Sequence, residues 1–348
     1  FDGTYILVAE DGENLKSQNQ PIAQLVSGQF WVNNHAHILG TKKGFDLSYV
    51  FYMLNSLNLS GYITGSAQPK LNQDNLRAIM LPMPAYDTQV AISNILSSLD
   101  AKIALNRRMN EELEGMAKML YDYWFVQFDF PNEEGKPYKS SGGAMEYNAV
   151  LKREIPAGWK VKEINNLVDF EADTLSPSGE PTTTYKHVSI PSYDSCGDYQ
   201  EEMGQAILSD KFVVTDSHVL VSKLNPWVNR VVWGRDIKNL IASTEFVMWQ
   251  VKDLQYKSFL YYTAQTGPFI GYCTKASTGT SHSHRRVDPN IMLRYLVPFN
   301  ETIVKKYSDM SRPFVEHRYK NLKEISNLTA LRDKLLPLLM NGQVRVAD

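Results

Sequence analysis

Residues 86–125 read YDTQVAISNILSSLDAKIALNRRMNEELEGMAKMLYDYWF, and this stretch decides the fold. Apolar or small residues recur in it at alternating three- and four-residue steps: Ile92, Leu96, Leu99, Ile103, then Leu113, Ala117, Leu120 and Trp124. Asn106 and Asn110 occupy the two steps between. A 3.5-residue period held for about five heptads is the pattern of a coiled-coil seam, in which buried asparagine fixes register and orientation at a cost in stability. Pro84 and Pro131 bound the segment. About 40 residues at ~1.5 Å each make a rod of roughly 60 Å.

A second rod is predicted from about Glu301 to Met340, with Ile303, Tyr307, Met310, Phe314, Asn321, Ile325, Leu328, Leu335 and Leu339 on one side. Pro298 precedes it and Asn341-Gly342 supplies a C-terminal stop. Pro313 is expected to kink or interrupt it, and Pro337 to break it late. Elsewhere, short runs such as Phe212-Val213-Val214 and Val219-Leu220-Val221 alternate with Gly, Pro, Asn and Asp, the texture of mixed globular domains. Residues 131–154 are polar and glycine-rich and read as a linker.

The chain repeats itself. Leu81-Pro82 before the first rod answers Val297-Pro298 before the second, and Asn106, Leu113 and Leu120 answer Asn321, Leu328 and Leu335. Upstream, residues 31–37 (WVNNHAH) sit where 240–246 (LIASTEF) sit in the second copy, and 46–52 (DLSYVFY) match 255–261 (QYKSFLY) in texture. In this register the first copy lacks a counterpart of about residues 150–213. Each unit is a globular domain followed by a rod, diverged in the globular part as suits different ligands. The two rods most simply pair with each other, antiparallel, which would relate the domains by an approximate two-fold axis; the alternative is each rod docked on its own domain.

Composition narrows the class. With 348 residues, two or three domains are expected at ~150 residues each. The chain is 43% apolar and 21% charged, enough to bury a full core. A net charge of −2 excludes a uniformly basic nucleic-acid binder and leaves room for a local basic face. There is no apolar run of ~18 residues and no basic-then-apolar leader, so no membrane contact and a cytoplasmic location are expected. Cys196 and Cys273 cannot make a disulfide framework. Phe1 leads straight into the strand-like Thr4-Tyr5-Ile6-Leu7-Val8, as though the chain is entered in mid-domain.

Several strings resemble the specificity subunit (HsdS) of type I restriction-modification systems. Residues 105–114 (LNRRMNEELE) continuing to 123–126 (YWFV) are similar to that family's central conserved helix. Residues 132–143 (NEEGKPYKSSGG) and 155–159 (IPAGW) resemble the approach to its second recognition domain. Residues 331–337 (LRDKLLP) with Asn341-Gly342 resemble the end of its distal conserved helix, and Trp31–His37 is also family-like. The resemblance implies an α+β fold: two globular target recognition domains, the first incomplete, separated by two long helices forming an antiparallel coiled coil with a pseudo-two-fold internal repeat. The implied division is a first recognition domain (1–84, its C-terminal part), the central helix (85–130), the linker (131–154), a second recognition domain (155–299) and the distal helix (300–342).

The implied function is that of a non-catalytic reader of double-stranded DNA. Each recognition domain reads one half of a split, asymmetric site, and the paired helices set the gap and dock two methyltransferase subunits, through which restriction-translocase subunits join. No cofactor is expected on this chain: S-adenosylmethionine, ATP and Mg belong to the partners. Helix pairing is assigned to Leu99, Ile103, Asn106, Asn110, Leu113, Phe314, Asn321, Ile325 and Leu328.

Reading bases in the major groove calls for Arg, Lys, Asn, Gln and small hydroxyl residues on loops, with phosphate contacts around them. In the second domain, residues 275–286 (KASTGTSHSHRR) offer Lys275, Ser277, Thr278, Thr280, His282, His284, Arg285 and Arg286. His282 and His284 lack the cysteines or carboxylates that would make them a metal pair. Residues 222–230 (SKLNPWVNR) add Lys223 and Arg230 for phosphates and Asn225 and Asn229 for bases, or simply for shaping a turn. The first domain offers Lys42 and Lys43, and Gln68 and Lys70 in a loop aligned by position with Ser277–Arg286. A solvated surface loop is the plain alternative for each. Trp31, Trp227, Trp233 and Trp249 are expected in cores, and Tyr121–Phe125 is a docking patch or packs beneath its own domain.

No catalytic constellation is present: no Walker-type or dinucleotide-binding glycine loop and no Asn/Asp-Pro-Pro-aromatic string of an adenine methyltransferase. Asp173, Asp194, Asp198 and Glu201-Glu202 are too scattered to read as a metal site. The competing reading is a coiled-coil scaffold that assembles partners without reading sequence.

Overall fold

The computed structural model describes residues 1–15, 21–65, 68–170, 172–279 and 284–346. The chain divides into two compact units, Phe1–Arg107 with Lys323–Asp348, and Arg108–Leu322. Each long helix gives one part to each unit.

In the first unit, β1 (Asp2–Ala9) is the central strand of an antiparallel sheet, flanked by β2 (Ala23–Gln29) and β3 (Ala36–Leu39). Val8 lies opposite Ala23 on one side and His37 on the other. Ile6 and Val8, on the inward face of the pleat, join Leu15, Ala23, Leu54 and Leu71 in a core. Helix α1 (Leu47–Ser56) starts where the Asp46 side chain accepts the Tyr49 amide, and α2 (Gln73–Ala78) where Asn72 accepts the Asn75 amide. Helix α3 (Tyr86–Tyr121) follows. Its first part packs Ile92 and Leu96 against Tyr49, Tyr52 and Met53 and against Leu339 and Met340 of the last helix.

The second unit holds the rest of α3, which ends in one wider turn over Asp122–Val126. Residues read as a linker form turns and a hairpin of β4 (Met145–Asn148) and β5 (Arg153–Pro156). Phe130 stacks on Tyr138 with ring centroids 4.7 Å apart. After β6 (Lys160–Glu163), β7 (Val168–Asp169) and β8 (Thr174–Leu175) come β9 (Thr184–Val188), α4 (Ile190–Cys196), β10 (Gln200–Met203) and β11 (Lys211–Val213). Strands β12 (His218–Ser222), β13 (Val231–Trp233), β14 (Leu240–Ala242) and β15 (Phe246–Val251) complete two sheets, ordered β10-β9-β14-β11-β8 and β13-β12-β15-β7. Helices α5 (Lys257–Thr263), α6 (Gly267–Ala276) and α7 (Pro289–Leu293) lead to β16 (Leu296–Phe299), which pairs with β6, and to the last helix, α8 (Glu301–Met340). Trp124, Phe125, Phe128, Trp159, Trp249, Phe259 and Tyr307 share one core. Burial of ~150–250 Å² per aromatic ring makes this the main stabilising mass of the unit.

The helices run antiparallel within each unit. In the first, Arg332 meets Asp100 at 2.8 Å and Asn106 meets Glu324 at 3.0 Å. In the second, Asn110 meets Asn321 at 2.9 Å and Tyr307 donates its hydroxyl to the Ala117 carbonyl at 3.3 Å. Rising numbers on one helix meet falling numbers on the other. Ile103, Asn106, Asn110 and Asn321 are buried, and Leu99, Leu113, Phe314, Ile325 and Leu328 half-buried.

Three expectations need correction. Helix α8 passes through Pro313 and Pro337 unbroken. Both prolines are exposed, as are Asp309 and Asp333 one turn earlier, so the carbonyls that lose their donors face water. Met310 lies outside the contact face, 51% exposed, while Tyr307, Ser311 and Val315 are buried. Trp31 and Trp227 are not core residues: they are 84% and 42% exposed, whereas Trp233 and Trp249 are buried.

The repeat is visible strand by strand. β1, β2 and β3 are matched by β12, β13 and β15: Val8 sits between Ala23 and His37 as Val221 sits between Val231 and Val247. In the second domain β15 is also flanked by β7, and β16 by β6. In the first, neither β3 nor residues 80–83 has such a neighbour among the described residues. No helix of the described residues is long and apolar enough to cross a membrane.

Candidate nucleic-acid interface

In the second domain the structure joins the two candidate segments. Arg286 bridges to Leu224 on one side and to Thr278 on the other. The Asn225 amide donates to the Arg285 carbonyl at 2.8 Å, and Asn225 Oδ1 accepts the Arg285 amide at 3.1 Å. The Val287 amide reaches the Lys223 carbonyl at 3.0 Å. Residues some 60 positions apart thus form one surface at the end of β12. Thr280 and His282 lie outside the described residues.

The individual side chains divide by role. Arg286 is exposed and forks onto Glu245, with Nε and Nη2 each 2.9 Å from a carboxylate oxygen, which holds the Glu245 carboxyl below its usual range. Lys275, Thr278 and His284 are exposed and Lys223 is half-buried. Arg285 is turned inward, its Nη2 on the Ser277 carbonyl. Ser277 is buried and its hydroxyl closes the end of α6 on the Thr274 carbonyl. Arg230 is buried and grips Asp194 at two points, 2.6 and 2.8 Å. Asn225 and Asn229 both take left-handed backbone, φ 48° and 49°, at the ends of the Pro226–Val228 turn. They are the turn-shaping residues that this residue type supplies.

The first domain carries the same frame with different side chains. Lys70 bridges to Thr64 and to Asp11, as Arg286 does to Thr278 and Leu224. The Leu71 amide donates to Glu10 and the Glu10 amide to His35, matching Val287 to Lys223 and Lys223 to Glu245. Position by position, Glu10 stands for Lys223, His35 for Glu245 and Lys70 for Arg286. Lys70 pairs with Glu10 at 3.1 Å, and His35 with Asp11 at 2.8 Å. Glycine follows the bridging threonine in both copies, Gly65 and Gly279. A Cβ there would collide with the carbonyls of Gln68 and His284 respectively. Gln68 is exposed beside this turn; Lys42 and Lys43 are exposed ahead of α1.

Glu10, Asp11 and Glu245 carry no sequence signal for this surface, and Asp194 is weighed in the sequence only as a metal ligand, because carboxylates do not suggest a DNA surface. The signal that could have found the frame is the Thr-Gly pair shared by 64–65 and 278–279, each followed within eight residues by a cation. Among the described residues no group of three or more His, Cys, Asp or Glu is gathered as metal ligands.

The chain has relatives among known proteins. A family model described as "Type I restriction modification DNA specificity domain" matches residues 1–115. The chain is 26% identical over 325 residues to the type I restriction enzyme MjaIX specificity subunit of Methanocaldococcus jannaschii, covering 88% of this chain and 71% of that one. It is 22% identical over 355 residues to the HindI specificity subunit of Haemophilus influenzae, covering 85% and 77%. Over 99 residues it is 30% identical to the EcoprrI specificity subunit of Escherichia coli, 28% of this chain and 23% of that one. Among solved structures, the type I restriction-modification S subunit from M. genitalium shares the fold at a TM-score of 0.62 and 15% identity, covering 97% of this chain and 83% of the other.

Proposed function

We infer that the chain, which resembles type I restriction-modification specificity subunits over residues 1–115 and, at 26% identity, over 88% of its length, reads a two-part DNA site, one half with each globular domain. The observation that carries this reading is the shared frame. Both domains close a Thr-Gly turn with a cation at one structural position, Lys70 and Arg286, and surround it with unlike side chains. One scaffold with two side-chain sets suits two unlike half-sites.

A split site needs two reading surfaces about one DNA turn, or a multiple of it, apart. Paired helices of roughly 60 Å can enforce such a spacing, which a flexible linker could not. In this reading the helix pair also seats two methyltransferase subunits, and restriction-translocase subunits join that core in the cytoplasm. S-adenosylmethionine, ATP and Mg are bound by those partners. The chain itself contributes binding and orientation, not bond-making.

The reading is tested by selecting duplexes from a random pool with the full chain, at a series of salt concentrations. Enrichment of two unlike motifs separated by a constant gap, with affinity falling steeply as salt rises, supports it. A pool that stays random supports the scaffold reading instead.

A further inference from the structure

The turn Leu224–Arg230 holds out an aromatic side chain that the domain does not use for its own core. Trp227 is 42% and Val228 45% exposed, while Pro226 beside them is buried and lines a small interior space with Phe269, Cys273 and Met292. The turn is fixed from both sides. The Val228 amide donates to Asn225 and the Asn229 amide to Pro226. Both asparagines are left-handed, Arg285 ties the start through Asn225, and the Arg230–Asp194 fork ties the exit. An indole on so constrained a turn is presented with little conformational freedom left to lose on binding.

The other copy shows that the scaffold does not require it. Asp11 occupies the place of Leu224, and the short helical turn Glu13–Leu15 that follows it is the counterpart of Pro226–Val228, with Asn14 where Trp227 stands. The short turn recurs with a different apex and a different anchor: Leu15 is buried where Val228 is exposed, and Glu13 is exposed where Pro226 is buried. The charged groups on the turn and on the segment it bridges to are Lys223, Arg230, Arg285 and Arg286, with Asp194 engaged by Arg230 and Glu245 by Arg286, and this excess of cations favours a polyanion.

We propose that the Trp227–Val228 apex is a wedge: it enters a groove of duplex DNA at the half-site read by the second domain and unstacks one base step there. Proteins that kink DNA insert apolar side chains between base pairs in this way, and a step that unstacks easily is thereby selected without hydrogen bonds to its bases. The proposal rests on the chain being a DNA reader and adds how one residue contributes to the choice of sequence.

The test uses the full chain and its selected duplex, with 2-aminopurine placed at one position at a time through both half-sites. Binding is expected to raise the fluorescence several-fold at one or two adjacent positions of the second half-site. Trp227→Ala abolishes that rise and leaves the first half-site motif intact, and Trp227→Phe keeps part of it. Because Trp227 lies outside the core and is 42% exposed, Trp227→Ala should lower the unfolding midpoint only slightly and stay folded at the binding temperature, which separates loss of the wedge from loss of the fold. An unchanged signal in Trp227→Ala overturns the proposal, even if a protein partner is lost, as does specific binding by the parent chain with no rise at any position. If the parent chain enriches no sequence at all, the DNA-reading function fails first and the wedge falls with it.

Discussion

Asn321 donates its side-chain amide to Oδ1 of Asn110 at 2.9 Å, buried inside the helix pair. Each asparagine holds a seam position where an apolar residue would pack more tightly, and each needs the other as a hydrogen-bond partner. Sliding either helix would separate them. Replacing one alone, Asn321→Leu, strands a buried amide and should cost about 1–3 kcal/mol in chemical denaturation. The double replacement Asn110→Leu with Asn321→Leu should recover much of that stability and loosen the register. Additive losses in the double-mutant cycle would contradict the pairing.

Arg285 and Arg286 are adjacent in sequence and opposite in role. Arg286→Ala should leave the melting curve unchanged and weaken DNA binding, flattening the slope of log K against log salt by about 0.9 if its guanidinium meets one phosphate. Arg285→Ala removes the contact with Ser277 and should lower stability as well as binding. Thermal melts alongside binding at several salt concentrations separate the two. Equal effects on both readouts would erase the distinction.

Asp100 ties three helices together: it accepts the Tyr52 hydroxyl at 2.6 Å and the Arg332 guanidinium at 2.8 Å. Asp100→Ala should destabilise by about 1–2 kcal/mol, a range reduced because the pair is about one-third exposed. Denaturant titration of the single variants Asp100→Ala and Arg332→Ala and of the double reads the coupling.

Lys257 is fully buried, its ammonium on Asp216 and the Gly234 carbonyl and over the Trp233 ring. Burial depresses it to about 8, so between pH 8 and its ordinary value of 10.5 the unfolded chain binds a proton that the folded chain does not. Its contribution to stability therefore rises with pH through that window. The stability difference between the parent and Lys257→Met should shift in the parent's favour from pH 8 to 10. A flat difference would show that the ammonium stays charged throughout.

The rods and their antiparallel pairing were legible because a 3.5-residue period is a local, repetitive signal, and the repeat followed from two such rods. The prolines misled: a proline's effect depends on whether its orphaned carbonyl meets water, and Pro313 and Pro337 lie on the solvent side. The candidate interface was half legible as an arrangement of side chains. Lys223, Arg286 and Lys70 could be nominated by type, but their assembly depends on bridges between residues far apart in sequence, such as Leu224 with Arg286. Arg230 and Arg285 look the same in sequence as Arg286, and only their inward partners, Asp194 and Ser277, set them apart. The expectation that a tryptophan is a core residue fails at Trp227, where buried Pro226 anchors the turn and leaves the indole partly outside.

The central proposal, that the paired helices set the spacing between two unlike readers, is tested most directly by lengthening the helices. Seven residues inserted at matching seam positions in both helices preserve the heptad and add about 10.5 Å of rise. Duplex selection with that variant should return the same two half-motifs with the gap widened by up to about three base pairs, at ~3.4 Å per pair. An unchanged gap, with both motifs intact, would contradict the account.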